Sequence, residues 1–181
     1  MFSVCVFCGS RFGRDPGHER DARELGRMIG ERGWRLVYGG GSVGLMGVVA
    51  DSVMTSGGSV LGIIPQRLMQ REVGKGDISE LVVSRGMFDR KERMIAESDS
   101  FVAMPGGLGT LDELFEVLTL KQLGYHDKPI LLLDRGGFWS QTTALVDHVI
   151  AQEFAAADAA SLMECIDDVP GIIRRLGNIN A

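Results

Sequence analysis

The sequence predicts an α/β fold: a single doubly wound Rossmann-like domain with a mainly parallel sheet. Three observations predict it. Short β-branched runs alternate with longer stretches of helical period, the rhythm of a parallel sheet covered on both faces. Three glycine loops, "CGSR", "YGGGSVGLMG" and "MPGGLGT", each follow a run that reads as a strand. The 181 residues, 45% hydrophobic and 24% charged, suit one well-buried globular domain, taken as residues 1–181.

Taken in order, the first strand is read at Val4 to Phe7, an unbroken apolar run. A helix from His18 to Glu31 follows, with Ala22, Leu25 and Ile29 at helical spacing. The next strand is Arg35 to Tyr38, and the glycine loop after it opens a helix from Gly44 to Ser56. Val60 to Ile64 is the third strand, and the irregular stretch from Pro65 to Asp77 is expected to fold over the same sheet edge. Leu81 to Ser84 leads into a helix from Phe88 to Glu97, and Phe101 to Met104 into one from Leu111 to Leu123. Ile130 to Leu133 precedes a helix from Phe138 to Phe154, and a last strand at Met163 to Ile166 precedes Val169 to Leu176. No repeat or low-complexity segment interrupts this order.

Charge narrows the partners. The formal net charge of -5 and a pI near 5.2 argue against the broad basic surface that phosphate-backbone binding needs, so nucleic acid is not expected. Fifteen arginines against four lysines still allow a small anionic ligand. The N-terminus lacks the basic start of a signal peptide, and no run approaches the ~20 apolar residues of a membrane span. A cytoplasmic protein with no membrane partner is expected, and three cysteines fit that compartment. "CVFC" resembles a redox or zinc motif, but its odd spacing inside a strand points Cys5 and Cys8 to opposite faces. His18, His126 and His148 are widely spaced and read as ordinary surface or helix residues, so no metal is inferred. Met46, Met54 and Met94 read as core filler.

Ligands of open α/β sheets bind beyond the carboxyl ends of the strands, so the glycine loops are where chemistry is sought. "GGGSVG", Gly39 to Gly44, matches a dinucleotide pattern in letters, but the next strand ends "GIIPQR" with no acid for ribose hydroxyls. Phosphate or close backbone approach is the better reading. "PGGLGT" joins glycines, a capping threonine and a helix start, an arrangement whose free amides favour a phosphate. It lacks the lysine of a P-loop, so a triphosphate with magnesium is not indicated.

Asp112, Glu113 and Glu116 follow at once, where an anion site does not want them. Thr110 to Glu113 reads as a capping box, which would reduce Glu113 to a structural cap. The competing reading puts Glu113 at fixed distance from the sugar that carries the phosphate. Glu116 shares roughly its face, and Asp112 is turned about 100° away. Arg90 and Lys91, near the start of their own helix, oppose its dipole, so an anion explains them better than propensity does. The plain alternative is a solvated patch paired with Asp89, Glu92 or Glu97.

"PGGLGTLDE" resembles the P-G-G-x-G-T-x-x-E signature of the LOG ("Lonely Guy") family, the cytokinin riboside 5'-monophosphate phosphoribohydrolases long misnamed lysine decarboxylases. "MFDRKERM", "VYGGGSVGLMG", "GIIPQRLMQRE" and "QLGYHDKPILLL" resemble family segments in the right order, so the likeness runs from about Val4 to Leu176. It implies hydrolysis of the N-glycosidic bond of an adenine-type nucleoside 5'-monophosphate, without a cofactor, by a homodimer with sites near the subunit interface. It maps the catalytic pair onto Arg90 and Glu113. The implied substrate contacts are Glu72, Arg90, Lys91, the loop Gly107, Leu108, Gly109, Thr110, Leu111, Asp112 and Glu113, and Thr119. One departure stands out: Phe88 occupies the position where the family generally has histidine. A non-catalytic nucleotide or pterin-cofactor carrier would use the same loops and is the alternative. Lysine decarboxylation would need a Schiff-base lysine with supporting partners, and only Lys91 of the four lysines lies near the expected site.

Overall fold

The computed structural model describes residues 1–69 and 74–180. The strands are β1 (Ser3–Phe7), β2 (Arg35–Tyr38), β3 (Ser59–Pro65), β4 (Glu80–Ser84), β5 (Ser100–Ala103), β6 (Ile130–Leu133) and β7 (Glu164–Ile166). The helices are α1 (Gly17–Glu31), α2 (Gly44–Thr55), α3 (Met87–Ala96), α4 (Leu108–Gln122), α5 (Ser140–Ala151) and α6 (Val169–Ile179). All seven strands pair in parallel, in the order β4-β3-β2-β1-β5-β6-β7. The chain therefore winds outward from β1 to β4 and restarts at β5 on the other side, which makes β1/β5 the switch point where an open α/β sheet leaves its crevice.

Side-chain alternation along β1 divides the core in two. Val4, Val6 and Cys8 join the cluster packed by α1, α2 and α6. Cys5 and Phe7 join Met94 of α3, Leu114, Val117 and Leu118 of α4, and Trp139 on the other face. The two cysteines thus lie on opposite faces, as their odd spacing requires, and burial pushes both thiols up, with Glu113 adding to it.

Most elements fall where the sequence puts them. Two helices depart from the prediction: α4, whose start is described below, and the predicted helix from Phe138 to Phe154. The latter is shortened to Ser140–Ala151, because a 3-10 turn at Arg135–Gly137 precedes it and Asp134 Oδ1 accepts from Trp139 N at 2.7 Å. Beyond it another 3-10 stretch covers Ala157–Leu162. The described ends of the irregular stretch after β3 do return over the glycine loop. Gly74 bridges to Gly41, Lys75 N donates to Gly40 O at 2.9 Å, and Lys75 Nζ pairs with Asp51 and Asp77 at 2.7 and 2.9 Å.

Candidate active site

The start of α4 differs from the expected one in a way that matters for its chemistry. The helix begins at Leu108, not Leu111, with Gly107 at the cap position and no capping side-chain hydrogen bond from it. Thr110 is therefore inside the first turn and caps nothing. The capping box predicted for Thr110 and Glu113 is not formed, because its threonine sits three residues too late. The N–H groups of Leu108, Gly109 and Thr110 have no acceptor within the helix, and no acid lies in the first turn. Gly106 is glycine for a steric reason: a Cβ there would fall 2.1 Å from Thr110 Oγ1. An uncapped, unshielded helix start of this kind favours an anion.

The acids begin one turn later, and the cations of α3 meet them. Lys91 Nζ lies 3.1 Å from Asp112 and 3.0 Å from Glu116. Burial alone draws the Lys91 ammonium down, but the hydrogen bonds to Glu116 and Asp112 outweigh it and the net direction is up. Glu113 takes the other cation, with Arg90 Nη2 at 3.6 Å, an ion pair longer than a hydrogen bond. Arg90 and Glu113 are both buried. The solvated-patch alternative does not hold for these two cations, since Asp89 is taken by Arg85 and Arg93 instead. Asp112 and Glu116 share Lys91, while Glu113 faces Arg90.

Arg90 is received by a glycine. Its Nη2 donates to Gly39 O at 3.4 Å, and a Cβ on Gly39 would fall 1.9 Å from that nitrogen. Gly44, at φ 59°, packs so closely on the β1 loop that a Cβ would lie 2.3 Å from the Ser10 carbonyl carbon. The glycines of "GGGSVG" are thus explained by close approach of a guanidinium and of a neighbouring loop, as the sequence suggests over a dinucleotide site. Arg90 Nε is buried without a hydrogen-bond partner among the described residues. The guanidinium is held in place but not saturated.

These parts enclose a cavity of about 160 Å³. Its wall comes from Cys8, Gly9 and Ser10 after β1, Met46 of α2, Arg90 of α3, and Gly107, Leu108, Gly109, Thr110 and Glu113 at the start of α4. Of the predicted site residues, Arg90, Glu113 and the loop from Gly107 to Thr110 are therefore brought together. Lys91 and Asp112 pair beside the cavity, and Leu111 packs on the core of the α3/α4 face. Thr119 is exposed further along α4, donates to Phe115 O at 2.7 Å, and lines a separate groove between α4 and α5. Glu72 lies outside the described residues. Phe88 is exposed, its ring centroid 5.7 Å from Lys91 Nζ. The cavity also uses Cys8, Gly9, Ser10 and Met46, which the sequence does not single out as site residues. The "CGSR" loop was the available signal for three of them.

A parallel doubly wound sheet with an uncapped helix start beside a buried arginine–glutamate pair defines a class: Rossmann-like proteins of the kind that seat an anion at a helix N-terminus. Comparison with known proteins narrows it. The family described as "Possible lysine decarboxylase" matches residues 46–176. The cytokinin riboside 5'-monophosphate phosphoribohydrolase LOG of Oryza sativa subsp. japonica is 45% identical over 160 residues, 88% of this chain and 66% of that protein. LOG7 of Arabidopsis thaliana, which carries the same enzyme name, is 41% identical over 173 residues, 96% of this chain and 80% of that protein. The chain belongs to this LOG family. Among solved structures, the molybdenum cofactor binding protein of Rippkaea orientalis has a TM-score of 0.74 at 23% identity, covering 99% of this chain and 98% of its own. A molybdenum cofactor carrier protein of Chlamydomonas reinhardtii has 0.72 at 22%, with 99% and 98% covered. At that identity the likeness shows the fold alone.

Proposed function

We propose that the protein hydrolyses the N-glycosidic bond of adenine-type nucleoside 5'-monophosphates, AMP or a cytokinin riboside 5'-monophosphate, to free base and ribose 5-phosphate. The observation that carries this reading is the buried Arg90–Glu113 pair on the wall of a cavity that shares Gly107 to Thr110 with an uncapped helix start. The enzyme names of relatives at 41% and 45% identity support it.

Cleavage builds positive charge on the sugar and negative charge on the departing base, as in glycoside hydrolysis through an oxocarbenium-like state. The 5'-phosphate sits on the amides of Leu108, Gly109 and Thr110. The next turn of the same helix then holds the Glu113 carboxylate against the ribose, where it stabilises the developing cation and aligns or deprotonates water. Arg90, whose pKa exceeds ~12, is not a general acid. It polarises the substrate and fixes the glutamate, so its value is positional and electrostatic. Lys91 is unsuited to Schiff-base chemistry, because the two carboxylates that grip it hold it charged.

Glu113→Gln is expected to keep the fold and most of the affinity for AMP, and to lose turnover by orders of magnitude. Chromatography of AMP incubated with each form reads it out. Adenine released at the parent rate by the variant removes Glu113 from the chemistry, and intact AMP with both forms leaves the carrier reading in its place.

We further infer a homodimer working in the cytoplasm. The groove lined by Phe115, Leu118, Thr119, Leu145, Val149 and Leu162 measures about 230 Å³, and Leu123, Tyr125, Leu145 and Phe154 are exposed. A second copy covering that face would bury this apolar surface and bring Thr119 beside the neighbouring subunit.

A further inference from the structure

A larger chamber of about 810 Å³ adjoins the catalytic cavity at the β1/β5 switch point. Gly9, Ser10, Gly107 and Leu108 line both, so one chamber begins where the other ends, at the uncapped start of α4. The chamber lies on the Pro105 and Gly106 side of that start and Glu113 on the other, so a ribose held beside Glu113 extends away from it. The nucleoside half of a monophosphate therefore leaves it unfilled, although its volume is that of a small-molecule pocket, roughly 300–1,000 Å³.

Its wall has the chemistry of a phosphate ester. Arg11 and Arg14 line it, both exposed and neither paired with a carboxylate among the described residues. Guanidinium groups in that state match a phosphoryl group. His18, only 9% exposed, also lines it, and its Nδ1 has no hydrogen-bond partner among the described residues. Phe12 and Phe138 bring half-exposed rings to the same wall, and Phe138 meets the His18 ring edge-on at 6.0 Å. Asp15 faces the chamber too, but Gly17 N donates to its Oδ1 at 2.7 Å, which leaves the other oxygen to accept a hydroxyl.

We propose that this chamber is a second subsite, built for the part of a nucleotide that extends beyond its 5'-phosphate: a nucleoside 5'-diphosphate bearing a further sugar. The second phosphoryl group meets Arg11 and Arg14, and the distal sugar lies against Phe12 and Phe138 with a hydroxyl to Asp15. The proposal rests on the monophosphate seat described under the proposed function.

ADP-ribose is the probe, and calorimetric titration of the wild-type protein is the measurement. ADP-ribose is expected to bind and to be displaced by AMP, since the two share the seat at α4. In the Arg11→Ala/Arg14→Ala double variant, affinity for ADP-ribose is expected to fall at least about tenfold relative to affinity for AMP. Phe138→Ala is expected to weaken ADP-ribose relative to ADP. ADP-ribose that fails to bind, that AMP does not displace, or that weakens no more than AMP in the arginine variant overturns the proposal. Because binding is read directly, failure here is separable from failure of the hydrolase reading, which is judged by adenine release from AMP.

Discussion

Three acids follow one another within five residues of α4, and only one meets an arginine. Asp112 and Glu116 share Lys91 at the side of the cavity, while Glu113 stands on the cavity wall with Arg90. The acids that look misplaced beside an anion seat are there because α3 brings two buried cations to them. The close fit at Gly39 makes a direct test. Gly39→Ala would place a methyl 1.9 Å from Arg90 Nη2, and the flexible arginine tip must give way. The variant is expected to fold, as circular dichroism would show, with kcat/KM for AMP reduced about 100-fold through misplacement of the guanidinium. An unchanged kcat/KM means that Arg90 has no placement to lose. Arg90 and Glu113 were legible in the sequence because each defied its local electrostatics. His18 was not, since its burial comes from Phe138 and the loop from Gly9 to Asp15, which no spacing around residue 18 reveals.

At the scale of elements, α3 and α4 hold each other through opposite charges at neighbouring positions. The Lys91 contribution has a defined pH sense. Its folded-state pKa is raised, so the stability it adds is fully present below the unfolded value of ~10.4. That stability is lost as pH rises through the higher folded value. Wild-type protein is therefore expected to lose stability more steeply than Lys91→Met above about pH 10, as urea denaturation at a series of pH values would measure. Parallel curves would show that the two carboxylates do not hold the ammonium. The strands and most helices were readable from alternation and helical period. The start of α4 was not, because Thr110 resembles a cap in letters while Gly107 takes the cap position in backbone geometry. The shortened α5 was hidden for a similar reason: the turn before it depends on an Asp134 side-chain bond.

The whole molecule sets what neither helix can do alone. Strands β4 and β5 lead into α3 and α4, yet three other strands lie between them in the sheet. Arg90 consequently touches the end of β2 and the start of α4 at once. On the same side of the sheet, the groove between α4 and α5 predicts association. Leu145→Glu is expected to convert a dimer to a monomer in sedimentation velocity, and a wild-type monomer or a variant that still dimerises would remove that face as the interface. The all-parallel order was legible in outline, but the position of β5 beside β1 was not, since pairing order follows from packing between distant segments.

That position of β5 carries a further consequence. Cys5 pairs with Phe101 in the sheet, so the switch point forms only after a long stretch of chain has closed on itself, a slow and costly event for a folding polypeptide. The crevice at that point is thus completed only once segments distant in the chain have met.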